Sequence, residues 1–159
     1  MELAEHSLHD LLHKKTKFPD FSWDTRLDWL EDSASGLQYL HQQKPPIFHR
    51  DLKPPNILIR GDWRACLTDF GLAEFDQTLV MTKTKGVGTP VYQAPEVLTG
   101  KYTTQADIWS LGVVMFEVMT RQLPYSGMSE VEVMSCLKKG DPTHNSDNRR
   151  VSVDEVSLS

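Results

Sequence analysis

The most apolar run of the chain, Ile108 to Met119, limits what the rest can fold into. A membrane span needs roughly 20 apolar residues, and this run is far shorter and contains Glu117. It predicts instead a core helix from about Ala106 to Arg121, capped by Thr103 or Thr104. Apolar side chains lie nearly all round that helix, so other elements must pack about it, with Trp109 and Met115 in the core. A chain of 159 residues can supply them as one ordinary domain, burying roughly 68–70% of its unfolded surface.

The surrounding elements can be read in order. Leu8, Leu11 and Leu12 fall at i, i+3 and i+4, predicting a short amphipathic helix after an extended opening. Phe18-Pro19-Asp20-Phe21 breaks it. Ser22 can cap a second helix, with Asp24 favourably placed in its first turn. Leu27, Leu30, Ala34, Leu37 and His41 give that helix one apolar face to about residue 42. Pro45-Pro46 ends it, and Ile47-Phe48 reads as a short strand. Ile57-Leu58-Ile59 and Ala65-Cys66-Leu67-Thr68, joined through Arg60-Gly61-Asp62, predict a hairpin.

Residues 72–92 hold scattered Thr, Lys and Gly without a period, which predicts a long surface loop. Ala94 to Leu98 predicts a short helix, and Leu123-Pro124-Tyr125 a break. Ser129 and Glu132 form a capping-box pattern opening a helix to about Lys138, which Gly140 can end. Beyond residue 140 the chain is polar and aperiodic, so disorder is expected over 141–159. The fold class is mainly α with a small β hairpin.

Composition narrows the function. A formal net charge of −5 argues against nucleic-acid binding through a basic face. Cys66 and Cys136 form no Cys-x-x-Cys pair, so they indicate neither a zinc site nor a disulfide framework. Met1 to Lys15 mixes charged residues among leucines, which is neither a signal nor a transit peptide, and a cytoplasmic, reducing setting is expected.

The chemistry concentrates in His49-Arg50-Asp51-Leu52-Lys53-Pro54-Pro55-Asn56. Asp51 and Asn56 share this loop, and Asp69 lies just past the hairpin that folds back beside it. Amide and carboxylate oxygens are hard ligands that suit Mg²⁺, and a lysine ammonium neutralises a phosphate. In outline this is a phosphate-and-metal site.

Three ordered motifs, His49-Arg50-Asp51-Leu52-Lys53-x-x-Asn56, Asp69-Phe70-Gly71 and Ala94-Pro95-Glu96, resemble the catalytic half of a eukaryotic protein kinase. The resemblance covers residues 1 to about 140. It implies ATP and Mg²⁺ as cofactors and a protein substrate. Asp51 would accept or orient the substrate hydroxyl proton, Asn56 and Asp69 would hold Mg²⁺, and Lys53 would stabilise the transferring phosphoryl group. Lys53 and the run Gly88-Thr89-Pro90-Val91-Tyr92 mark a serine/threonine type, with Thr89 expected near Asp51 and Lys53.

Several further roles come with the resemblance. His49 belongs to a packed spine with Phe70, and Gly71 completes the metal motif. Asp107 binds the backbone of the catalytic loop. Glu2 and Ala4 lie on the hinge whose backbone binds adenine, with Leu58 beneath the ring. Arg50 is placed to pair with a phosphate on Thr82 or Thr84, with Thr78 behind them. The start Met1-Glu2-Leu3-Ala4-Glu5 and the run Pro45 to Asn56 are similar to the tyrosine-kinase-like group and to MAP kinase kinase kinases.

The same comparison implies what these 159 residues do not hold. No Gly-x-Gly-x-x-Gly occurs, so the family's small lobe is absent, and so are its late helices. Glu96 would lack its usual arginine partner, because Arg149 and Arg150 come too early, leaving an uncompensated buried carboxylate. Such a chain is expected to be inactive alone and to expose an apolar surface where the small lobe, or a protein partner, would dock. A non-catalytic, pseudokinase-like interaction module is the alternative. The intact set Asp51, Asn56 and Asp69 favours an enzyme.

Overall fold

Three of the four α-helices among the described residues begin where a serine can cap them. In the computed structural model, which describes residues 6–14, 20–69, 90–100 and 102–140, α1 spans Leu8–His13 and Ser7 Oγ accepts the N–H of Asp10 at 3.2 Å. Helix α2 spans Trp23–His41, and Ser22 Oγ accepts the N–H of Thr25 at 3.2 Å. Helix α4, Glu130–Lys138, carries the full reciprocal box. Ser129 Oγ accepts from the Glu132 N–H, and a Glu132 oxygen accepts from the Ser129 N–H at 2.8 Å.

Helix α3, Thr104–Thr120, starts two residues earlier than the apolar run suggests. Thr103 occupies the cap position, yet its side chain makes no capping bond. Arg121 ends α3 at φ 54°, a left-handed conformation that usually falls to glycine. Its guanidinium holds it there by donating to the carbonyls of Leu12 (3.0 Å) and Leu11 (3.3 Å) and to Asp20 Oδ1 (2.6 Å). The end of α1 is thereby tied to the end of α3.

The hairpin is present, as β2 (Ile57–Ile59) and β3 (Ala65–Leu67), and it gains a third strand. Strand β1, His6–Ser7, pairs antiparallel with β2, His6 opposite Ile59 and Ser7 opposite Leu58, giving the order β1-β2-β3. Two residues are too few for an alternating pattern to register. Ile47 and Phe48, in turn, form no strand. The Ile47 N–H folds back to the Leu40 carbonyl at 3.0 Å, so its donor serves the end of α2 instead of a neighbouring strand.

The long helix also turns a different face inward. Arg26, Trp29, Ser33, Leu37 and Leu40 are buried, whereas Leu27 is 50% exposed and Ala34 is exposed. Polar residues at 26 and 33 conceal this stripe from a search for apolar periods. Ser33 Oγ donates to the Trp29 carbonyl at 2.7 Å, and Arg26 donates to the carbonyls of Phe21 and Val118 and to the Asp20 carboxylate. A buried polar group so bonded escapes most of its desolvation cost. Gly36 lets α2 lie close on β3, where an added Cβ would stand 3.3 Å from the Leu67 side chain.

Val113, Val114 and Val118 of α3 pack with Leu8, Leu11 and Leu12 of α1, Trp29 and Leu37 of α2, and Ile57 of β2. Helix α4 adds a smaller cluster of Val133 and Leu137 with Tyr125. Helix α3 is central, but it is not buried all round. Trp109 is half-buried, while Ile108 and Met115 face outward, Met115 being 48% exposed. Large exposed apolar side chains among the described residues lie on α2, α3, α4 and the loops, and none on α1 or the three strands. No helix among the described residues is long and apolar enough to cross a membrane. The expected loop at 72–92, except for a 3₁₀ turn at Pro90–Tyr92, and the expected disordered tail lie outside the described residues.

One tether between α2 and the hairpin is set by charge. Arg64 Nε donates to both oxygens of Asp32, and the Ala65 N–H donates to Asp32 Oδ2 at 2.9 Å. The Arg64 guanidinium holds the Asp32 carboxyl below its ordinary range. A depressed folded-state pKa stabilises the fold above the unfolded value, and that contribution disappears as pH falls through the folded value. Wild-type urea midpoints should therefore fall from about pH 4 downward more steeply than those of Asp32→Asn. Equal slopes would contradict the assignment.

Candidate active site

The loop between α2 and β2 is shaped by alternating anchors. His49, Leu52, Pro54 and Asn56 are buried, while Arg50, Asp51 and Lys53 stay partly exposed. Pro54 and Pro55 open a 3₁₀ turn, Pro54–Asn56, for which a fixed φ is preorganised. The Asn56 N–H closes the turn on the Lys53 carbonyl at 2.9 Å. Asn56 is thus returned to Asp51 five residues earlier.

The contacts at Asp51 are specific to one oxygen. Asn56 Nδ2 donates to the Asp51 carbonyl (2.8 Å) and to Asp51 Oδ2 (2.9 Å), and Lys53 Nζ lies 2.9 Å from the same Oδ2. Both tethers hold one side of the carboxylate. The other oxygen, Oδ1, has no hydrogen-bond partner among the described residues, on a side chain that is 23% exposed. An anchored but accessible carboxylate is the geometry a general base requires.

The same contacts bear on the metal implied by the resemblance. Because Nδ2 of Asn56 is committed to Asp51, its remaining polar atom is the amide oxygen, a hard ligand. The Thr68 N–H donates to the Asn56 carbonyl at 3.0 Å, so Asp69 is the next residue after a direct contact with Asn56. Asp69 is exposed and has φ 60°. An amide oxygen and an exposed carboxylate are donor types that suit Mg²⁺.

Beneath the loop sits Asp107, fully buried in the first turn of α3. Its Oδ2 accepts the His49 N–H (3.0 Å) and faces His41 Nε2 (2.8 Å), while Oδ1 accepts the Arg50 N–H (3.0 Å) and the Tyr102 O–H (2.6 Å). Arg50 has φ 66°, a left-handed conformation costing of order 1–3 kcal/mol outside glycine. Two adjacent backbone donors converging on one carboxylate hold that turn. Burial beside this carboxylate pushes the Tyr102 phenol well above its ordinary range, so it remains a donor. Burial lowers the His49 pKa, giving a neutral packed imidazole.

The other anticipated positions separate clearly. Leu58 is half-buried in β2, opposite both Ser7 and Cys66. Glu96 is half-buried in a 3₁₀ turn, Pro95–Thr99. Glu2, Ala4, Phe70, Gly71, Thr78, Thr82, Thr84 and Thr89 lie outside the described residues. His41 and Tyr102, which complete the shell of Asp107, were not singled out from sequence. By its spacing His41 falls on an apolar face of α2, and no local period marks Tyr102.

The protein kinase domain family matches residues 1–155. The chain is 35% identical over 136 residues to the serine/threonine-protein kinase CTR1 of Arabidopsis thaliana, covering 85% of this chain and 17% of that protein. It is 38% identical over 130 residues to the probable serine/threonine-protein kinase drkA of Dictyostelium discoideum, covering 80% and 20%. With the putative mitogen-activated protein kinase kinase kinase 7-like of Drosophila melanogaster the identity is 37% over 147 residues, covering 87% and 36%. The chain spans a fifth or less of the length of the first two. With the ordered motifs, the tethered loop and this match in hand, the chain belongs to the eukaryotic protein kinases, near their tyrosine-kinase-like group.

Proposed function

We propose that residues 49–69 are the catalytic centre of a protein serine/threonine kinase, transferring the γ-phosphate of ATP to serine or threonine hydroxyls of a protein. The observation that carries this reading is the one-sided anchoring of Asp51, with Oδ2 held by Lys53 and Asn56 and Oδ1 presented. Asp51 accepts the hydroxyl proton as the oxygen becomes a nucleophile. Lys53, already at that carboxylate, supplies positive charge beside the transferring group. Asn56 Oδ1 and Asp69 would hold Mg²⁺, which when bound neutralises charge on the phosphates. Lysine at position 53 and the serine/threonine kinase names of the relatives support the substrate class.

These 159 residues correspond, in this reading, to the large lobe of the domain, in a cytoplasmic setting. The family's phosphate-covering glycine motif is not in the sequence. The purified 159-residue polypeptide should therefore transfer little phosphate from Mg-ATP. The same residues joined to a kinase small lobe should label serine and threonine in a mixed peptide substrate. Labelling confined to tyrosine, or none from the joined protein, would reject the reading. Equal activity from the polypeptide alone would reject the lobe assignment.

A further inference from the structure

A second cluster lies away from the catalytic loop, where α1 meets α3. His9 and His13 stand four residues apart on α1, so both rings project from one face of the helix. Facing them is Glu117 of α3, fully buried. His13 Nε2 lies 2.6 Å from Glu117 Oε1, and His9 Nδ1 lies 3.9 Å from the same oxygen. One ligand atom from each residue falls within a sphere of contacts no wider than 4.8 Å. The other carboxylate oxygen, Oε2, accepts the Tyr92 O–H at 2.6 Å.

A simple hydrogen-bonded pair accounts for His13 and Glu117 but gives His9 only a ring contact with His13, centroids 4.8 Å apart. Although the His9 side chain is 40% exposed, its Nδ1 is buried and has no hydrogen-bond partner among the described residues. A buried ring nitrogen turned toward a carboxylate, beside a second imidazole, has the makings of a ligand.

We propose that His9, His13 and Glu117 bind zinc and thereby pin α1 to α3. Two imidazoles and one carboxylate form a donor set that zinc takes, with its fourth position open to water, whereas magnesium and calcium favour all-oxygen shells. Tetrahedral bonds of 2.0–2.1 Å place ligand atoms about 3.4 Å apart. His13 and Glu117 must separate slightly from 2.6 Å, and His9 must close in from 3.9 Å. These two shifts are under about 1 Å, and the His9 and His13 nitrogens, within 4.8 Å of each other, must close by at most about 1.4 Å, all within reach of side-chain torsions. Tyr92 already orients the carboxylate from its far side, as outer partners of metal ligands do. Zinc takes imidazole and carboxylate in their unprotonated forms, so binding should weaken in acid.

The test is zinc titration of the chelator-stripped protein against a chromophoric competitor, with cobalt(II) absorbance reporting the coordination geometry. Wild type should take up one equivalent with tetrahedral cobalt bands, and zinc should raise its thermal midpoint. His9→Ala removes no hydrogen bond among the described residues, only the ring contact with His13, so its metal-free midpoint should stay close to that of wild type. Its zinc affinity should fall by more than the roughly 10–100-fold that loss of an outer partner costs. Tyr92→Phe, with all three ligands intact, should fall within roughly that 10–100-fold range. Absence of saturable binding in wild type would overturn the site. Undiminished binding in His9→Ala would overturn it too, since zinc held through Cys66 or Cys136 would survive that change.

Discussion

Asp51→Asn, made in the 159 residues joined to a kinase small lobe, is expected to lower kcat by ~10²–10⁴-fold, the range general-base catalysis contributes. The substitution preserves shape and leaves an amide oxygen that can still receive Lys53 Nζ and Asn56 Nδ2, so the loop should keep its form. What is lost is the acceptor at the opposite position, where an NH₂ group would face the hydroxyl instead of a carboxylate oxygen. Nucleotide affinity should be nearly unchanged, because in the proposed function Asp51 serves the hydroxyl. Steady-state kinetics with a peptide substrate, together with a nucleotide-binding titration, separates the two terms. A kcat within about tenfold of wild type would remove Asp51 from the role of base.

The second large effect is one of stability. Asp107→Asn is expected to cost about 3–5 kcal/mol, the range seen when one member of a buried charged network is removed. The carboxylate faces donors on both oxygens: the backbone N–H groups of His49 and Arg50, the Tyr102 hydroxyl and the His41 ring. An amide can accept on one side only, and its NH₂ would confront donors on the other. Hydrogen bonds to a charged group contribute roughly 1.5–3 kcal/mol each, and the Arg50 turn relies on one of them. Against a typical domain stability of about 5–15 kcal/mol the loss is severe. Urea unfolding measures it, and amide exchange at His49 and Arg50 should accelerate in step. A change under about 1 kcal/mol would mean that the loop is held by other contacts.

Much of this protein could be read from short spacings. Ser22 and Ser129 cap helices because a hydroxyl reaches a backbone N–H two or three residues on, a relation fixed by helix geometry. Pro54 and Pro55 set a turn through their own rings, and the run from His49 to Asn56 carries its chemistry in its spelling. The hairpin turn at Arg60-Gly61-Asp62 belongs to the same class. In each case cause and consequence lie within one turn of chain.

What tertiary structure alone decided involves partners far apart in sequence. Asp107 reaches His49 across 58 positions and His41 across 66, and His13 meets Glu117 across 104. No periodicity relates such residues, because their meeting depends on how whole helices pack. The inward face of α2 was hidden for a related reason. Arg26 and Ser33 are buried only because Phe21, Val118 and Trp29 offer them carbonyls. Sequence by itself determined the helices, the hairpin and the turn at residues 49–56, since these follow from torsional preference and local hydrogen bonding. Packing decided which carboxylates were buried and what they hold, because a buried charge persists only where several distant donors converge on it.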